Sequence, residues 1–234
     1  MSYIPALGRR WLTSLYDPVM RWTMREHTFK QALIAQAGIA PGHRVLDLGC
    51  GTATLTVLIK QSGARAEVVG VDIDPDALRI ARTKIEGHGL DIRLDEARTS
   101  ALPYPDATFD RVVSSLVFHH LTPGEKRQTA GEILRVLRPG GALHVADWGK
   151  PQNALLRAAF LVVQVLDGFA TTAENVRGIL PDVFTEAGFA DVAVTQRFAT
   201  AFGSLSLIRA SRRAVDAHNT FRSASGAGGT ITRG

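Results

Sequence analysis

Two adjacent histidines, His119 and His120, are the side chains best suited to move a proton. An imidazole titrates near neutral pH, so either ring could accept a proton from a phenol or an enol. They follow an apolar run, Phe109 to Phe118, whose Ser114 and Ser115 mark the end of a strand. No carboxylate or thiolate stands at ligand spacing from the pair, so the sequence predicts no metal site there. Asp147 and Trp148 close a second apolar run, from Ala142 to Ala146; Asp147 is a weaker candidate base, and Trp148 a candidate for lining a substrate pocket.

Upstream lies a different chemistry. Val45 to Thr56 reads VLDLGCGTATLT. Val45, Leu46 and Leu48 around Asp47 suit a short strand buried on both faces, and Gly49-Cys50-Gly51-Thr52 demands a tight turn. The helix-spaced Leu55, Leu58 and Ile59 follow, so strand, glycine turn and helix open a nucleotide-binding α/β unit. A dinucleotide fingerprint would place a third glycine at position 54, which is Thr. Asp47 would repel a pyrophosphate, which binds backbone N–H groups and a helix dipole. It suits S-adenosylmethionine (SAM), which carries an ammonium and a sulfonium and no phosphate. Asp72 stands 21 residues after Gly51 at the end of Val68–Asp72, VVGVD, where a carboxylate accepts ribose hydroxyls.

VLDLGCGTA, VVGVDIDPDAL, ALPYPDATFDRVV and EILRVLRPGGAL follow in that order. Together they resemble the class I SAM-dependent methyltransferases over roughly Tyr16 to Arg209. Within that class the chain is most similar to the small-molecule branch, which includes quinone C-methyltransferases and phospholipid N-methyltransferases. The resemblance implies a Rossmann-like, doubly wound, seven-stranded α/β sheet, mostly parallel, with an antiparallel C-terminal hairpin. It implies a SAM site built from Asp47, Gly49, Gly51, Thr52, Asp72, Ile73, Arg98 and Ser115; His120, then His119, are the candidate catalytic bases from their place at the strand-four exit. The acceptor would be a small or lipid-like molecule: a quinol, a phenol or a phospholipid head group. An N-terminal segment that closes the substrate pocket is also implied, with Tyr16 and Trp22 lining it.

Two positions depart from the family pattern. The aspartate that accepts the adenine amino group falls, counting back from Leu102, on Arg98, which has no acceptor. Asp95 or Glu96 could replace it through a shifted loop, a backbone carbonyl could serve, or Arg98 could stack on the ring. Ala53 occupies the place of a frequent third glycine. These departures motivate the alternative of a non-catalytic SAM-fold binding protein. A dehydrogenase is disfavoured by Asp47 and Thr54. The strand-four exit reads SSLVFHHL and lacks the Asn/Asp-Pro-Pro-Tyr/Phe loop of nucleic-acid and glutamine amino-methyltransferases.

The elements that position these groups follow from periodicity. Helices are predicted over 26–37, 52–62, 75–86, 123–137 and 154–166, with a further helix to Ala187 after a break at Gly168-Phe169. Strands are predicted over 67–72, 92–94, 109–113 and 142–146, with a closing hairpin of 192–198 and 204–208. Arg138-Pro139-Gly140-Gly141 reads as a turn. The chain divides into an N-terminal helical cap (1–40), a SAM-binding domain (41–210) and a Gly/Ser-rich tail (211–234) expected to be disordered. The apolar 154–166 helix is expected to wall or cover a pocket.

Composition agrees. At 234 residues the chain is one domain able to bury a core. One cysteine excludes an internal disulfide and fits a reducing cytoplasm, and Cys50 reads as a space-filling residue. The net charge of +5 is dispersed toward the ends. That disfavours a nucleic-acid groove and allows contact with an anionic membrane surface. No stretch reaches the roughly 20 apolar residues that span a bilayer.

Overall fold

The computed structural model describes residues 26–214. Tyr16, Trp22 and the Gly/Ser-rich stretch from Ser223 lie outside the described residues.

A seven-stranded sheet forms the centre, in the order β3-β2-β1-β4-β5-β7-β6. The strands are β1 (Arg44–Leu48), β2 (Glu67–Asp72), β3 (Arg93–Glu96), β4 (Phe109–Ser115), β5 (Leu137–Trp148), β6 (Ala190–Thr200) and β7 (Gly203–Ser211). β1 to β5 pair in parallel, and β7 pairs antiparallel with both β5 and β6. The α-helices among the described residues are α1 (Glu26–Ala37), α2 (Thr54–Gln61), α3 (Pro75–Gly87), α4 (Pro123–Val136), α5 (Ala154–Asp167), α6 (Phe169–Arg177) and α7 (Leu180–Glu186).

Strand alternation sends Leu46, Leu48 and Val112 to one face, where they meet Ile133 of α4 and Phe184 of α7. Val45 and Val113 go to the other, with Phe29 and Leu33 of α1 and Phe160 of α5. Burial on both faces is why the parallel strands read as continuous apolar runs. α1 therefore packs on the sheet as part of the core. Side chains cap the starts of α3, α4 and α5, the last through Asn153, which accepts from Leu156 N. Asp74 accepts from Asp76 N and Ala77 N, and Thr122 forms a capping box with Glu125.

Four predicted boundaries move. Arg138–Gly141 lies inside β5, not in a turn before it; Gly140, at φ +79°, and a register shift between Phe109 and Arg111 absorb the irregularity. β3 runs on through Glu96 because it pairs with Asp72. The predicted last helix is broken at Gly178, φ +77°, into α6 and α7. Ser211 ends β7, and Arg212 donates to the carbonyls of Leu134, Arg135 and Leu137, so both belong to the domain rather than to a tail.

Candidate functional site

The site forms where β1, β2, β4 and β5 end, on the sheet edge where open α/β folds bind ligands. A cleft of about 790 Å³ opens elsewhere, at the opposite edge where β2 and β3 begin, lined by Lys60, Arg65, Glu67 and Arg93. It touches none of the predicted site residues.

The glycine turn is tied down from below. Gly49 N and Cys50 N both donate to Val71 O, at 2.8 and 3.0 Å. Gly49 has φ +69°, and a Cβ there would lie 2.4 Å from Cγ2 of Val117, so the loop after β4 rests directly on it. A Cβ on Gly51 would meet nothing within 4 Å: open space adjoins the turn on that side. Ala53 holds a left-handed conformation, φ 60° and ψ 27°, with no glycine to ease it. Cys50 is buried; burial and then the nearby Asp47 and Asp72 carboxylates push its thiol far up, so it is an inert filler.

Asp72 is preset for a ligand. Its Oδ2 accepts from Gly51 N at 2.7 Å and its Oδ1 from Asp74 N at 2.9 Å. Each oxygen keeps a lone pair for a hydroxyl. Burial raises its pKa against the pull of those N–H donors. Ile73 follows, half-buried. Thr52 Oγ1 accepts from Lys84 Nζ at 3.2 Å, which steadies the turn. Ser115 Oγ is enclosed without a hydrogen-bond partner at the end of β4. An open glycine cradle, a half-satisfied carboxylate and an orphaned hydroxyl on adjoining strand ends fit a nucleoside-like cofactor.

Two predicted contacts change. Asp47 does not open into the crevice: it is 1% exposed, and Thr56, on the first turn of α2, donates to its Oδ2 at 2.6 Å. Burial raises its pKa to about 6 despite the Thr56 bond and the charge of Lys30. It can act on a bound cation through its field. Arg98 does not reach toward a cofactor; it is paired with Glu125 at the start of α4, 3.0 Å away. Glu96 is exposed and stands opposite Asp72 in the β2–β3 register.

The histidines sit in the short 3-10 helix Phe118–His120 after β4. Asp147, fully buried, organises them. Its Oδ2 accepts from Val117 N and Phe118 N, at 3.0 and 2.7 Å. Its Oδ1 accepts from His119 Nδ1 (2.9 Å), Trp148 N (2.7 Å) and Asn175 Nδ2 (3.2 Å). Burial opposes its charge, but His119 and these donors hold its pKa below the ordinary carboxylate value. The loop so gathered is strained, with Leu116 at φ +59°.

His119 is buried, with Nδ1 on Asp147 and Nε2 3.6 Å from Oδ2 of Asp167. His120 stacks on it, ring centroids 3.9 Å apart, and stands exposed at the rim. Surrounding protein and then the neighbouring His119 hold its pKa well below the ordinary histidine value, so it is neutral near pH 7. Trp148 is 3% exposed and packs on Phe160, so it belongs to the core and lines no open pocket among the described residues.

Sequence reasoning missed Asp167 and Asn175, and underrated Asp147. Asp147 had a signal, since it leaves a strand at the carboxyl end. Asp167 carried only its place before Gly168, the break between α5 and α6. Asn175 carried none. Asp167 also supplies the carboxylate that the sequence spacing around His119 and His120 lacks.

A methyltransferase-domain family model matches residues 45–141. The chain is 32% identical over 181 residues to a ubiquinone/menaquinone biosynthesis C-methyltransferase of Saccharophagus degradans, covering 70% of this chain and 72% of that one. It is 44% identical over 119 residues to a demethylmenaquinone methyltransferase of Thermus thermophilus, covering 51% of this chain and about half (53%) of that relative. A SAM-dependent methyltransferase structure from Aquifex aeolicus matches the fold with TM-score 0.59 and 20% identity over 78% of this chain and 89% of that one. With the four motifs, the strand order and the half-satisfied Asp72 in place, the chain belongs to the class I SAM-dependent methyltransferases.

Proposed function

We propose that this enzyme methylates a small, apolar acceptor of quinol or phenol type, at a ring carbon or oxygen. The observation that carries this reading is the seat of His119 and His120. They end the loop that rests on the glycine turn, so a proton acceptor stands next to the cofactor edge. The names of the quinone C-methyltransferase relatives support the acceptor class.

Bound at this edge, SAM supplies an electrophilic methyl group on its sulfonium sulfur. Asp72 would accept from the ribose hydroxyls, and Glu96 would accept from the adenine amino group in place of Arg98. Ser115 Oγ would serve the methionyl end, and the Asp47 carboxylate would favour the cofactor's positive charge. The chain has no nucleophile to supply; it must hold the acceptor in line and exclude water, which can be worth roughly 7–11 kcal/mol. His120 takes the acceptor's hydroxyl proton, which enriches the ring in electrons as the methyl group arrives. His119, fixed by Asp147, positions His120. Leu155, Leu161, Val162, Val165, Leu166 and Phe169 are exposed on α5 and the start of α6, leading toward Asp167, and suit an apolar acceptor or the lipid that carries it. No described helix is long and apolar enough to cross a membrane.

The test is calorimetric titration with SAM, S-adenosylhomocysteine and NAD, followed by transfer of labelled methyl to quinols, phenols and phospholipid head groups. Micromolar SAM binding with label on a quinol or phenol is the expected result. Label on head groups alone, or binding of NAD instead of SAM, overturns the reading.

A further inference from the structure

The histidine pair carries a second feature. Nδ1 of His119 is taken by Oδ1 of Asp147, which leaves Nε2 as the ring's second ligand atom. Nε2 faces Oδ2 of Asp167 across 3.6 Å. The gap between these two atoms suits a positive charge, a proton or a metal ion. Asp167 is badly placed for a carboxylate in two further respects. It is the last residue of α5, at the negative end of the helix dipole. Its side chain is largely covered yet accepts no hydrogen bond from the described residues, and His119 Nε2 is its partner within 4 Å. His120 brings a third donor, and one ligand atom from each of the three residues lies within 4.8 Å of the others.

We propose that His119, His120 and Asp167 form a binding site for a divalent transition-metal ion such as Zn²⁺ or Co²⁺. Two imidazoles and one carboxylate are the donors that such ions take, whereas Mg²⁺ and Ca²⁺ favour oxygen-only sites. In a tetrahedral site, ligand atoms about 2.0–2.1 Å from the metal lie about 3.3 Å apart, so the His119–Asp167 pair needs to close by only a few tenths of an ångström. Asp147 already makes the outer contact that a metal-bound imidazole requires, fixing the tautomer and the ring plane. His120 is at the exposed rim, so a coordination position is left toward the crevice. An ion held there takes up the nitrogen that would otherwise receive the acceptor's proton, so metal loading and proton transfer exclude one another.

The test uses the untagged full chain, stripped with a chelator and titrated with Co²⁺ while its visible ligand-field absorption is followed. Zn²⁺ is then added in competition. One Co²⁺ per chain, displaced by Zn²⁺ and weakened at least tenfold in both His120→Ala and Asp167→Asn, is the expected result. Circular dichroism checks that both variants are folded. A featureless titration to about a hundred micromolar, or variants that bind as well as the parent, overturns the site. The readout is the metal itself, so it stands or falls separately from the methyl-transfer assay.

Discussion

His119 Nδ1 donates to Oδ1 of Asp147 at 2.9 Å, and through that bond one buried carboxylate joins the end of β5 to the histidine loop after β4. The same carboxylate receives two loop N–H groups, the Trp148 N–H and the Asn175 amide. Asp147→Ala leaves the His119 and backbone donors buried without this partner, while Asn175 keeps its bond to Trp148 O, and should cost about 3 kcal/mol or more. Asp147→Asn should cost less but remain harmful, because one face of its amide then sets donors against donors. Urea unfolding midpoints measure both. An Asp147→Ala protein as stable as the parent would show that the loop is held by something else.

Asp72 tests the cofactor edge. Removing it takes away the proposed acceptors for both ribose hydroxyls and unties Gly51 N. Asp72→Ala should weaken SAM at least tenfold by calorimetry. Asp72→Asn, which keeps one acceptor oxygen, should fall in between. Unchanged affinity in both would place the ribose elsewhere.

Much of this edge is readable from sequence because it is local. The turn, Asp72 and the Asp74 cap are set within a few residues of the elements they join. What was not readable depends on pairing across the sheet. Arg138–Gly141 has turn chemistry, yet its place between β4 and β7 draws it into β5. Pairing with β2 extends β3 to Glu96, which leaves Arg98 to Glu125. Asp47 reads as a crevice residue until Thr56 folds back over it. Asp167 meets His119 only because the chain breaks at Gly168, and no spacing rule encodes that approach.

His120 is the exposed member of the pair, so its loss should leave the fold and the cofactor site intact. His120→Ala should lower kcat for a proton-losing acceptor by about a hundredfold, the low end of general-base effects, with SAM affinity unchanged. Single-turnover rates with labelled SAM check this. An undiminished rate removes His120 from the proton path.

Asp47 gives a pH dependence. Its pKa is raised from 3.8 to about 6, chiefly by burial, so the folded state favours the protonated form. The sign follows from linkage. Stability is greatest below the unfolded value and is lost as pH rises through about 6. A shift of that size corresponds to about 3 kcal/mol, an upper figure for the neutral analogue to recover. Asp47→Asn, whose carbonyl still accepts from Thr56, should melt above the parent at pH 8 and converge with it near pH 4. Its SAM affinity should fall, since the cation loses a charge beneath it. Equal melting temperatures at pH 8 would mean that the buried carboxylate costs nothing.

Gly49 and Val117 couple the cofactor turn to the histidine loop. Gly49→Ala forces an L side chain into φ +69° with its Cβ 2.4 Å from Val117 Cγ2. The left-handed backbone alone costs about 1–2 kcal/mol, and the clash must push the loop carrying His119 and His120 away from the turn. Gly49→Ala should therefore depress both the melting temperature and turnover. Val117→Ala removes the methyls in the way, so the double variant should recover stability relative to Gly49→Ala. It should not recover the backbone strain, which is independent of position 117. A double-mutant cycle measures the coupling, and purely additive effects would show that Val117 is not what confines position 49 to glycine.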